Sequence, residues 1–374
     1  MQTVNGIDTP AALKILRRAG RIGMITNHSG TAKNLTPSRK IVHDAVGLKA
    51  LFSPEHGLFG AEQAGGVSGP GTVDPVTGVP CYDIYHARTV ADDVLAGLDA
   101  IVYDLQDVGS RYYTYLNNAV DAMRICAANG LKFILLDRIN PIADMGMEGA
   151  PPDEKLFPSN SGVFPIPSCH GLTMGEFALF INDRYRIGCD LTVVPCKGWK
   201  RSTGWERTGL QWVAPSPNLP GIDGARVYNG TCLFEGTNLS EGRGTTRPFE
   251  IIGAPFLHPA DCIRRLAEFD LPGVIFRECY FRPTFSKFAG EVCAGMQIHV
   301  TDHTVFRPYE TGIRMLQAMR EDGGEKFQYT NWMDGLSGTD RIRLGTEDFD
   351  THLALAAENC ERYRKETAPW LLYR

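Results

Sequence analysis

Five near-continuous apolar runs, set apart by helix-like segments, limit what this chain can become more than any other feature. They are "RIGMITN" (Arg21–Asn27), "LKALFSP" (Leu48–Pro54), "AIVYDLQ" (Ala100–Gln106), "KFILLDR" (Lys132–Arg138) and "DLTVVPC" (Asp190–Cys196). A strand with one wet face alternates apolar and polar residues. These runs do not, so they predict strands covered on both faces, as in a parallel sheet. Amphipathic stretches stand between them: "TVADDVLAGL", "TYLNNAVDAMRICAANG" stopped by Gly130, and "TMGEFALFINDRYRIG" ended by Gly188. Near the start, Thr9 as N-cap, Pro10 at the first helical position and Gly20 as stop frame another helix. Strand and helix alternating in this way imply right-handed crossovers and an α/β fold, a doubly wound, mostly parallel sheet in a three-layer sandwich.

From about Gly221 the texture changes. "LFEGTNLSEGRGTTRPFEIIGAP" is rich in Gly, Thr and Arg and too irregular for a helix, and "GVIFRECYFRP", "GMQIHVTD" and "HLALAAENCERYRKE" give mixed strand and helix signals. A chain of 374 residues accommodates two domains. The expected division is a sheet domain over 1–221 and a smaller α/β domain over 222–374.

In an open parallel sheet, ligands bind beyond the carboxyl ends of the strands. The first run ends in Asn27 and His28, the second in Glu55 and His56. The third leads into Gln106 and Asp107 with Arg111 and Tyr112 beyond, and the fourth into Asp137, Arg138 and Asn140. Four successive strand ends thus carry ionisable or amide groups that should converge on one rim. Against this stands the plain reading that strand ends are polar because loops are solvated, and for any one residue the two readings weigh about equally. Asp104, on the opposite side by alternation, is expected to hold a neighbouring loop. Glu55 stands out, because Pro54 stiffens the backbone before it while the glycines after it leave room for a ligand.

The sequence excludes several chemistries. No G-x-G-x-x-G follows the first strand, and P-loop, H-E-x-x-H and G-x-S-x-G are all missing. His28, His56 and His170 have no established metal-ligand spacing, so a metal-dependent hydrolase is a minority alternative and no metal or cofactor is expected. A net charge of −5 argues against nucleic acid or an anionic membrane as partner, and no segment has the apolar length to span a bilayer. Ten cysteines without a C-x-x-C pair suit free thiols in a reducing cytoplasm. The start lacks a basic stretch followed by an apolar core, which also favours the cytoplasm. A leader lost from the start would leave the same sequence, so a periplasmic or secreted location stays open. Oligomeric state is not legible.

The residues become specific when read together. "ITNHSG", "LFSPEHGLFG", "YDLQDVGSRYYTY", "LDRINP", "HGLTMGE", "APSPNLP" and "EGTNLSEGRGTTRPFE" occur in this order, and "FRPTFSKFAGEVCAGMQIHVTD" follows. In register they resemble the NamZ-type exo-β-N-acetylmuramidases, a bacterial glycoside hydrolase family, over essentially the whole chain. The resemblance implies a Rossmann-like N-terminal domain, an auxiliary C-terminal domain and an active site in the cleft between them. It implies hydrolysis of terminal, non-reducing β-1,4-linked N-acetylmuramic acid from peptidoglycan fragments, and Glu55 in "SPEHG" as catalytic. Recycling of cell-wall fragments inside the cell fits the start of the chain. Two positions depart from the family pattern: Ile139 replaces a second proline in "LDRINP", and Cys169 precedes His170.

Glycosidic cleavage needs an acid for the leaving oxygen and a group that manages positive charge at the anomeric carbon. Glu55 is the expected acid, with Phe52, Leu58 and Phe59 expected to desolvate it, and His56 to set its hydrogen bonding. Asp107 is the expected second carboxylate. Retaining, inverting and substrate-assisted routes all remain open, as does a non-catalytic muramyl-binding module. The lactyl carboxylate of muramic acid calls for a fixed guanidinium, for which Arg111, Arg243 and Arg247 are candidates. Asn27, His28, His56, Tyr112, Asp137, Arg138 and His170 on the rim are candidate substrate contacts. So are Asn238 and Glu241 in the loop "NLSEGRGTTRPFE", unless Glu241 and Arg243 only bridge the domains. Tyr112, Tyr113, Trp199 and Trp212 are candidate stacking surfaces, with packing the more common use.

Overall fold

The computed structural model describes residues 2–69, 71–157 and 164–374. Its first half is a six-stranded parallel sheet: β1 (Ile22–Thr26), β2 (Ala50–Ser53), β3 (Cys81–Asp83), β4 (Ala100–Asp104), β5 (Lys132–Leu136) and β6 (Asp190–Val194), in the order β3-β2-β1-β4-β5-β6. This is the doubly wound order, with the reversal between β1 and β4. The five apolar runs are the five long strands. Cys81–Asp83 went unread because the edge strand is short and Tyr82 points outward, 38% exposed.

Helices α1 (Pro10–Leu16) and α2 (Ser38–Val46) cover one face, and α4 (Tyr115–Asn129) and α5 (Met174–Arg184) the other, while α3 (Asp92–Ala96) precedes β4. Along β4 the side chains divide between the layers. Ala100 and Val102 pack with Met24 and Leu51 under α1 and α2, and Ile101 and Tyr103 pack with Phe52 and Phe133 under α4 and α5. Helix α5 is framed by a capping box between Thr173 and Glu176, and it ends at Arg184, before Gly188. The Asn182 side chain bonds both the N–H and the C=O of Cys189, folding the chain back early. Thr9 precedes α1 as expected, but its hydroxyl donates to Gly6 O instead of capping the helix.

The second half opens with α6 (Ile222–Thr231) and builds a three-stranded antiparallel sheet, β7 (Ile251–Ala254), β8 (Val274–Phe281) and β9 (Cys293–Val300), in the order β7-β9-β8. Helix α7 (Pro259–Leu266) packs on β8 and β9, and α8 (Pro308–Gly323) on α6 and α7. Three helices follow: α9 (Trp332–Ser337), α10 (Arg341–Leu344) and α11 (Phe349–Thr367). Helices α6 and α8 meet glycine to glycine, since a methyl added to Gly312 would lie 2.5 Å from Gly230 Cα. The apolar layer under α4 and α5 continues into the second half through Leu239, Ile252, Met296 and Met315. The chain then returns to the parallel sheet. Tyr373 Oη donates to Asp137 Oδ2 at 2.6 Å, and Leu372 N donates to Glu176 at 2.8 Å. Among the described residues, no helix is long and apolar enough to cross a membrane.

Candidate active site

Glu55 follows β2 on a backbone that few residues tolerate. His56 has φ of 71° and Gly57 the same, which turns the chain sharply and folds the following loop back over the carboxylate. His56 N donates to Gly66 O, and its ring Nδ1 lies 2.9 Å from Glu62 O. The loop then supplies Gly65 N–H to Glu55 Oε1 at 2.7 Å. The other oxygen, Oε2, accepts from Thr114 Oγ1 at 2.7 Å, just before α4. Both donors are neutral, and no Lys or Arg among the described residues pairs with Glu55. The apolar neighbours expected to desolvate it lie elsewhere: Phe52 and Leu58 are buried in the two core layers, and Phe59 is 47% exposed.

Glu55 and His56 line a cavity of about 490 Å³ between the two halves. From the first half come also Arg111, Tyr112, Tyr113, Thr114 and Asn117, carried by the turn after β4 into α4. Ser216 and Asn218 come from "APSPNLP", and the amide of Asn218 donates to Gln63 Oε1 at 3.0 Å. The second half contributes Tyr228, Glu235, Arg243, Phe249 and Trp332. Tyr113 and Phe249 each stand edge-on to the Tyr228 ring.

The charges on this wall sort into pairs. Arg243 is neutralised twice, by Glu235 at 2.6 Å and Glu241 at 3.3 Å, and lies 4.9 Å over the Phe249 ring. Glu241 in turn holds Lys287 at 3.0 Å, so this network stays within the second half and does not bridge the two. Arg111 differs. Its guanidinium donates only to the carbonyls of Gly335 and Leu336, at 3.1 and 2.9 Å, and lies 4.8 Å over Tyr112. Its Nε has no partner among the described residues. Among the described residues the cavity therefore holds two carboxylates, Glu55 and Glu235, and one guanidinium without a carboxylate beside it.

Asp107, the expected second carboxylate, does not line the cavity. Its Oδ2 accepts Gly109 N–H at 2.6 Å and lies 3.2 Å from His170 Nε2, closing a turn in which Gly109 has φ of 77°. His170 is fully buried behind it. Asp137 is equally removed. Buried at the start of α5, it accepts from Thr173 Oγ1, Gly175 N and Tyr373 Oη, and burial pushes its pKa up to about 7. Arg138 is bound to Asp104 at 2.5 Å, so Asp104 holds the end of the neighbouring strand. Asn27 gives its amide to Tyr115 Oη and accepts from Ser29. His28 sits under Gly60 with Nε2 at 2.6 Å from Ala214 O, its pKa lowered by burial. Asn238 ties Lys326 and Gln328, and Arg247 pairs with Glu250. Trp199 and Trp212 belong to the core. Ile139 is buried in the same cluster as Trp199, and Cys169 pairs through its backbone with Glu148 away from the cavity.

The rim expected from strand ends is thus narrower than the sequence indicated. Of the candidates read from the sequence, the cavity wall takes Glu55, His56, Arg111, Tyr112, Tyr113 and Arg243. The others hold the loops that shape it. Glu235 and Trp332 were missed. Among the described residues, the one cluster with metal-ligand spacing is His258, Asp261 and Asp322, remote from the strand-end histidines. A larger cavity of about 640 Å³ is lined by Arg341, Glu347 and His352, with Glu347 bonded to both of the others.

Comparison with known proteins identifies the family of the chain. The family model described as exo-β-N-acetylmuramidase NamZ, N-terminal, matches residues 22–223, and its C-terminal counterpart matches residues 226–373. The peptidoglycan β-N-acetylmuramidase NamZ of Bacillus subtilis (strain 168) is 42% identical over 350 residues, or 92% of this chain and 84% of that protein. Crystal structures of two DUF1343 family proteins from Bacteroides fragilis NCTC 9343 align with TM-scores of 0.89 and 0.80, at 30% and 28% identity. Each alignment covers 100% of this chain and 99% of the other.

Proposed function

This chain belongs to the exo-β-N-acetylmuramidase NamZ family, and on that footing we propose that it releases terminal, non-reducing β-1,4-linked N-acetylmuramic acid from peptidoglycan fragments. The observation that carries the reading is Glu55 on the cavity wall, each oxygen held by a neutral donor and neither by a cation. A carboxyl so placed keeps its geometry while free to carry a proton to the glycosidic oxygen. Glu235 faces the same cavity from the second half and takes the role of second carboxylate, with Arg243 fixing its orientation. Arg111, its charge uncompensated, receives the lactyl carboxylate. The ten cysteines, all unpaired and buried, support a cytoplasmic site of action for the chain as it stands.

The test is turnover of 4-nitrophenyl β-N-acetylmuramide against the glucosaminide, on wild type and Glu55→Gln together. The expected result is release from the muramide by the wild type, and loss of turnover in a folded mutant. Saturable muramyl binding with no product would identify a binding module instead.

A further inference from the structure

A lone exposed apolar side chain means little on a protein surface. Trp332 is different because of where it stands. It is 72% exposed and yet lines the cavity, on the opposite half from Gly65. The deeper wall is closed, with Glu55, Tyr113, Ser216, Tyr228 and Phe249 all buried. Gly65 and Trp332 are exposed, so they mark the mouth.

Helix α9 holds Trp332 there firmly. Its second residue, Met333, is fully buried against Gly236, and its carbonyls at Gly335 and Leu336 accept from Arg111 of the first half. The helix is clamped on its inner side and across the cleft, leaving the indole facing outward.

An enzyme that removes the terminal unit must close around that unit and let the remaining chain leave through the mouth. The proton donor lies on the buried wall just inside this opening, since Glu55 Oε1 accepts from the N–H of the rim residue Gly65 at 2.7 Å. The bond that breaks is therefore near the rim, and the departing ring lies between Gly65 and Trp332. We infer that Trp332 is the platform for the leaving sugar, its indole covering the apolar face of an uncharged pyranose. The inference rests on the reading of Glu55 as the acid.

The experiment compares wild type, Trp332→Ala and Trp332→Phe on the disaccharide N-acetylmuramyl-β-1,4-N-acetylglucosamine, with free N-acetylmuramic acid as competitive inhibitor. Trp332→Ala should lower kcat/KM on the disaccharide by about tenfold, the scale of one aromatic contact. It should leave inhibition by free N-acetylmuramic acid unchanged, and Trp332→Phe should recover most of the loss. Unchanged disaccharide turnover in Trp332→Ala would overturn the assignment. So would a parallel loss of affinity for free N-acetylmuramic acid, which would place the indole against the terminal unit. If the wild type releases no N-acetylmuramic acid, the fault lies with the underlying reading of the site.

Discussion

The Thr114 hydroxyl donates to Glu55 Oε2 at 2.7 Å, which ties the start of the helix after β4 to the carboxylate after β2. Thr114→Val removes that donor while keeping shape. It should lower kcat by about tenfold with KM little changed, and shift the alkaline limb of the pH–rate profile, where a general acid loses its proton. Thr114→Ser should restore both. A Thr114→Val enzyme with wild-type kcat and pH profile would show that the bond only packs the loop.

The two candidate second carboxylates can be told apart. Glu235→Gln should cost kcat about a hundredfold or more if the group acts as the proposed second carboxylate on the cavity wall. Asp107→Asn disturbs a buried turn instead, and should lower the thermal midpoint while kcat stays within about threefold. The opposite pattern in steady-state kinetics and thermal melting would return Asp107 to the mechanism.

Arg111 makes a sharper prediction about specificity. Arg111→Gln should reduce the preference for muramyl over glucosaminyl substrates by about 10- to 100-fold, the worth of a charged hydrogen bond. Arg243→Gln should leave that ratio unchanged, because its guanidinium is committed to Glu235 and Glu241. Comparing kcat/KM on the two chromogenic substrates reads both.

Gly230→Ala tests the contact between α6 and α8. The added methyl would lie 2.0 Å from Pro308 O, so the helices must separate. The expected loss is about 2 kcal/mol or more, read from urea unfolding. An unchanged midpoint would mean that the helices can slide apart freely.

Stability should also depend on pH in a direction set by two buried acids. Asp137 and Glu148 have pKa values raised by burial to about 7. A raised carboxyl contributes its stability fully below the unfolded pKa and loses it as pH rises through the folded value. The thermal midpoint should therefore fall between about pH 5 and 8, and fall less in Glu148→Gln. A midpoint that rises across this range, followed by scanning fluorimetry, would contradict it.

The long strands were legible because burial on both faces leaves an uninterrupted apolar run that nothing else in the chain imitates. Cys81–Asp83 was not, since its register is set by β2 and not by its own pattern. The place of Glu55 beside the cavity was legible from Pro54 before it and the glycines after it. Glu235 was hidden in a 3-10 turn inside the irregular Gly/Thr-rich stretch, where neither spacing nor periodicity separates it from a surface acid. Asp137 and His170 were overread for the converse reason. A strand end delivers a side chain to a region, but what closes over it comes from hundreds of residues away, as Tyr373 does over Asp137. Trp332 carried no signal in sequence, because its role depends on Arg111 holding the helix it begins.

The presence of Glu55 beside one sheet and Glu235 beside the other has a consequence for inheritance. A hybrid assembled from residues 1–223 of one relative and the remainder of another would keep both sheets, yet set its carboxylates at a spacing inherited from neither parent. The clasp from Arg111 would survive such an exchange, because it grips the main-chain carbonyls of Gly335 and Leu336, which any side chain at those positions leaves in place.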